Sequence, residues 1–184
     1  MNLRSSPLVV GLHLAALAFA LAPPVFFGAV VAPAVFRVLP TRDMAGALQS
    51  PILSRMCGLA EASFLVLFAT SWLLAREAAR GTRALLTRLP VLGFFAALVI
   101  RQLLIPPIDR IRAEAPGLID NLPAADPSRI LLDRYHRLAT GFFSLEIAAA
   151  LIVLFATARL WTQRREAPDG PTAPPKPAPK ILEL

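Results

Sequence analysis

Polar residues along this chain act as punctuation between long apolar runs. Scanned over about 19 residues, the sequence gives four such runs, at 8–36, 56–75, 85–106 and 138–161. At 1.5 Å per residue, each run is long enough as a helix to cross the roughly 30 Å of a bilayer core. In lipid a backbone must satisfy its own hydrogen bonds, so four runs predict four spanning helices rather than loops or open strands. No barrel-like alternation of polar and apolar positions competes. The pattern predicts an all-α integral membrane bundle over residues 1–166, followed at 167–184 by "APDGPTAPPKPAPKILEL". That proline-rich stretch offers little packing material and is expected to be a disordered, partly polyproline tail.

The start of the chain imitates a secretory signal, with Arg4, an apolar run from Leu8 and the triplet Ala20-Leu21-Ala22. The run continues to Phe36, however, which is about 44 Å of helix and far more than a signal core needs, so an uncleaved first helix is expected. Pro23 and Pro24 should free carbonyls near Phe19 and Ala20 and kink that helix at mid-membrane. Ser50-Pro51 reads as an N-cap and first residue for the second helix, and Asp126-Pro127 reads the same way for the fourth. Pro106 and Pro107 should bend the third helix as it leaves the apolar region, and Pro116-Gly117 should end it. Extensions of the third and fourth helices would then form a small helical polar cap on one side of the membrane.

Composition sharpens this picture. The chain of 184 residues is 56% hydrophobic, with a mean hydropathy of +0.61, more than a soluble core requires. The net charge of +7 comes from arginines scattered between the runs, with no basic stripe and no interleaved aromatics. Nucleic acid is therefore not an expected partner, whereas the lipid bilayer and its anionic headgroups are. Ten Lys and Arg on the terminal side stand against eight on the other, which predicts both termini on the cytoplasmic side of a bacterial inner membrane. The lone Cys57 has no disulfide partner and reads as a small membrane-core residue.

Three ionisable residues interrupt the runs. Arg101 lies about 7.5 Å inside the Pro106 end of the third helix, and Glu61 about 9 Å inside the Arg55 end of the second, both measured from the same membrane face. An ion pair between them explains how the cation persists, because an unpaired Arg at the bilayer centre costs about 2.5–3.5 kcal/mol. Glu146, about 13 Å deep on the fourth helix, is a second candidate partner or a proton-carrying acid. Together Glu61, Arg101 and Glu146 form a candidate intramembrane polar layer. Outside it, "IPPIDRIRAE" and "LLDRYHRLATGFF" supply a candidate polar cap: Asp109, Arg110 and Arg112 facing Asp133, His136 and Arg137, with His136 as the member that titrates near neutral pH. His13 lies near the opposite face. No catalytic motif, phosphate loop or metal-ligand spacing is present, so no catalytic residue, metal or cofactor is read from the residues themselves.

The ordered stretches "FFGAVVAPAVFRVLP", "AGALQSPILSRM", "IPPIDRIRAE" and "LDRYHRLATGFF" resemble the bacterial membrane family known as domain of unknown function 4149, related to eukaryotic transmembrane protein 205. The resemblance covers roughly residues 10–160 and rests most specifically on Gly28, Pro33 and Phe36 and on the His136-Arg137 pair. It implies four membrane helices and no settled activity. More distantly, "LHLAALAF" followed by Gly28 and Phe36 is similar to four-helix proteins of the copper-resistance D and membrane protoporphyrinogen oxidase types. That similarity implies heme as a cofactor, with His13 as its ligand. Three functional classes follow. The first is a non-enzymatic binding or assembly component with partner helices or copies of itself. The second is a transporter or permeation accessory using the charged layer, and the third is a heme- or quinone-linked oxidoreductase.

Overall fold

The structure is a computed structural model that describes residues 6–76 and 78–166, with side chains as far as Thr162. The proline-rich tail and Arg4 lie outside the described residues. Four long helices account for almost all of the rest: α1 Pro7–Val38, α2 Arg42–Leu74, α3 Arg80–Glu114 and α4 Pro127–Glu166. No strand occurs among the described residues. α1 packs on α2 and α4, and α3 packs on the same two, so the helices close into a ring with α1 and α3 on the diagonal. Each helix contains a window apolar enough to cross a membrane, and the chain is a multi-pass membrane protein. Its outer surface is correspondingly greasy, with Leu8, Phe19, Phe95 and Phe155 all exposed.

Helix ends follow local chemistry, with one departure from the expected starts. Asp126 Oδ1 accepts from Ser128 N at 2.8 Å, so Pro127 opens α4 as the sequence predicts. The second helix does not open at Ser50-Pro51. Thr41 caps it, its hydroxyl accepting from Met44 N at 3.2 Å; Pro51 lies inside the helix, and the Ser50 hydroxyl donates across to Asp109 Oδ2 at 2.8 Å. A proline preceded by serine is a cap signal only where the chain enters from a loop, and here two helical turns precede it.

Prolines leave a distinct mark. α1 stays α-helical through Pro23 and Pro24 to Phe26, and the expected distortion falls instead at Phe27–Val31, a π-turn. A second π-turn occupies Ile100–Leu104 in α3. Each ends two residues before a proline, Pro33 in α1 and Pro106 in α3. A proline removes the N–H due to the carbonyl four residues back and presses its ring on that carbonyl. Ala29 and Gln102, the residues at that distance, both lie in the wider turns that relieve the clash. α3 then runs on to Glu114 and stops before Pro116.

The core is built of small and aliphatic side chains at the centre of the ring. Ala20, Phe64, Leu67, Ala97, Ile100 and Val153 are all fully buried. On the cap side, a 3₁₀ turn at Ile119–Asn121 bridges α3 and α4, and Ile119 tucks in beneath it.

Candidate functional site

Of the candidate intramembrane layer, Glu61 and Arg101 meet where α2 and α3 face one another. Arg101 sits in the π-turn of α3, and its Nη1 donates to Glu61 Oε2 at 3.0 Å. The guanidinium lies over Gly58, one turn from Glu61 on α2, where a Cβ would meet Nη1 at 3.1 Å. Glycine is what lets the planar cation approach the helix this closely. The Arg101 side chain is 39% exposed and that of Glu61 14%, so the cation reaches outward while the carboxylate stays within the bundle.

Glu146 comes from α4 and is 2% exposed. Its Oε2 and the Oε1 of Glu61 are both buried without a hydrogen-bond partner. Cys57 lies within electrostatic reach of Glu61, Glu146 and Arg101, and at 1% exposure it faces the interior. Arg101 is thus paired with Glu61, and one carboxyl oxygen on each glutamate remains unserved.

His13 takes a different role at the far end of the bundle. Its Nδ1 is 2.9 Å from Thr70 Oγ1 on α2, and its Nε2 is 3.0 Å from Thr157 Oγ1 on α4. Each threonine hydroxyl also reaches a carbonyl of its own helix, Val66 O and Val153 O, both at 2.8 Å. In a neutral ring one nitrogen donates and the other accepts. One threonine therefore accepts from the ring while donating to its carbonyl, and the other turns its hydroxyl onto the ring. The ring is 1% exposed and ties three helices together. An axial bond to heme iron needs a free ring nitrogen, and neither is free, so the residues around His13 as arranged do not fit that cofactor.

The cap encloses a cavity of about 610 Å³ between the starts of α2 and α4, the end of α3 and the 3₁₀ turn. Phe36, Ile108 and Ile119 supply apolar wall; Arg42, Arg112 and Arg129 supply cations. Asp43, Asp120, Asp133 and His136 complete the polar rim. The loop is fastened by carboxylates: Asp43 Oδ2 accepts from Ile119 N and from Asp120 N at 3.4 Å, and Asp120 Oδ2 accepts from Arg42 N at 2.8 Å. Arg112 lies over Gly46 of α2, in space that a Cβ there would occupy.

Of the residues singled out in the sequence, the structure brings Glu61 to Arg101, and Arg112 to Asp133 and His136 around the cavity. Asp109 bonds Ser50 beside the cavity wall. Arg110 and Arg137 are exposed and outside the wall. Among the described residues, no group of three or more His, Cys, Asp and Glu is placed to hold a metal. Sequence reading missed Arg42, Asp43, Gly46, Asp120 and Arg129. In the antiparallel α2–α3 pair, Arg101 over Gly58 and Asp109 on Ser50 set a register that carries Arg112 to Gly46, and that register is visible only once the two helices are placed.

No curated protein and no solved structure matches this chain. A family match does exist, and it runs over residues 8–116, from α1 to just past the end of α3, with α4 beyond the matched residues. It therefore includes Glu61, Arg101 and Arg112 but not His136 or Glu146. With more than half of its length matched, the chain belongs to the family described as Domain of unknown function (DUF4149).

Proposed function

We propose that this protein is a non-enzymatic binding component of a bacterial inner membrane, with its site in the capped cavity on the outward face and both termini in the cytoplasm. The supporting observation is the cavity itself: about 610 Å³ of space at the mouth of an otherwise apolar bundle, walled by six charged side chains and His136. Sites for small molecules are concave and few per protein, with placed polar groups that fix orientation. Surrounding lipid, partner helices or further copies of the chain hold the bundle in place; the cavity holds the ligand.

The test is a spectrum and mass analysis of detergent-purified protein with its retained small molecules. A colourless protein carrying a small polar molecule is expected, with that molecule lost when Leu132→Trp fills the cavity. A bound chromophore would overturn the reading in favour of an oxidoreductase. Impermeant labelling of a cysteine placed at either terminus checks the orientation.

A second reading is supported by the two unpartnered carboxyl oxygens of Glu61 and Glu146. Ionisable groups left unsatisfied inside a membrane bundle are expensive and serve ion or proton pathways in many proteins. On that reading, Glu61→Gln or Glu146→Gln abolishes a substrate-dependent flux in reconstituted vesicles at normal protein levels.

A further inference from the structure

The arginines of the cavity are unequally served. Arg129 Nη1 donates to Leu122 O at 2.8 Å. The carboxylates around them are largely engaged elsewhere: Asp43 and Asp120 hold backbone amides of the loop and of Arg42, and Asp109 Oδ2 accepts from Ser50. Arg112 is the one with a buried donor left unmet. Its closest carboxylate oxygen is Asp109 Oδ1, at 3.8 Å, and its Nε is buried with no acceptor. A guanidinium offers five N–H donors in a rigid fork, and leaving one of them unmet in a side chain that is only 21% exposed is costly. Three Arg and three Asp line the cavity, so formal charge there is even. Any anion bound here is held by short-range donors rather than by a net field.

Resting on the cavity as the binding site, we propose that it takes a phosphate-class oxyanion, with Arg112 as the principal donor and Arg42 and Arg129 as flanking cations. Guanidinium forks match phosphate oxygens in pairs, and three of them converging from three helices suit a group with several charged oxygens. The cavity lies in the cap at one end of the bundle, and this chemistry would come there either from a free phosphate compound or from an anionic lipid headgroup. The apolar wall of Phe36 and Ile108 accommodates the organic remainder of either.

The full chain in nanodiscs of zwitterionic lipid is titrated with inorganic phosphate, and in a second arm phosphatidylglycerol is added and retained lipid is read by native mass spectrometry. Binding in at least one arm is expected, and the responding arm identifies the source. Arg112→Gln should weaken it about tenfold. Gly46→Ala should weaken it as well, because the new Cβ takes the place of the guanidinium, the far end of a flexible side chain, and so displaces Arg112 without disturbing the helix backbone. Arg110→Gln, exposed and outside the wall, should change nothing. If Arg112→Gln does not fold, Gly46→Ala decides. The proposal is overturned if folded protein binds in neither arm, or if binding ignores both variants. A retained neutral or cationic molecule, lost in Leu132→Trp, would sink the oxyanion assignment and leave the cavity reading standing. If neither arm binds and nothing is retained from the native membrane, the cavity reading falls with it.

Discussion

At the scale of single residues, the bundle uses polar side chains as fasteners whose partners lie on other helices. His13 is held by two threonines on two helices, so Thr70→Val leaves one ring nitrogen unmet in a dry interior. The expected cost is about 1–3 kcal/mol, seen as a lower unfolding midpoint in detergent. Thr157→Val should cost a similar amount, and the double variant less than the two together, since both act on one ring. Glu61 and Arg101 form the other fastener. Glu61→Ala strands the guanidinium and should lower stability by about 2–3 kcal/mol, while Glu61→Gln, which keeps an acceptor oxygen, should lose less. Equal losses for Ala and Gln would mean that the 3.0 Å contact contributes nothing.

At the scale of elements, α4 carries Glu146 into the core with an oxygen that nothing satisfies. A buried polar group without a partner opposes folding, so Glu146→Met should leave thermal stability unchanged or raise it by about 1 kcal/mol. A marked loss would show that the carboxyl is structural. The four helices were legible from sequence because a long apolar run is a local property that needs no knowledge of neighbours. The pairing of Arg101 with Glu61 was legible too, because depth can be counted from each helix end. The start of α2 was not, since Ser50-Pro51 carries the same cap chemistry as Asp126-Pro127 and only the tertiary position of Ser50, bonded to Asp109, distinguishes them. The π-turns were half legible: prolines predicted a disturbance, but in α1 it falls after Pro23 and Pro24 and ahead of Pro33.

At the scale of the whole molecule, the cap is a loop laid across the mouth of the bundle and tied by Asp43 and Asp120 to residues more than seventy positions away. Contacts of that kind depend on the path of a loop, for which the sequence carries no periodicity, and this is why Arg42 and Arg129 went unseen while Arg112, on the extension of α3, did not. Asp43→Ala should free the segment 115–126 while the four helices persist. Limited proteolysis should then cut between Ala115 and Asp126, with a loss of about 1–3 kcal/mol in the stability of the cap. The imidazole crosslink spans the molecule from its first helix to its last, and this bears on biosynthesis. During synthesis α1 enters the membrane long before Thr157 has been made, so every nascent chain passes through a stage in which one ring nitrogen of His13 lacks its hydroxyl. Only the finished polypeptide closes that gap, and a product truncated ahead of α4 keeps it open as a lasting mark of incompleteness.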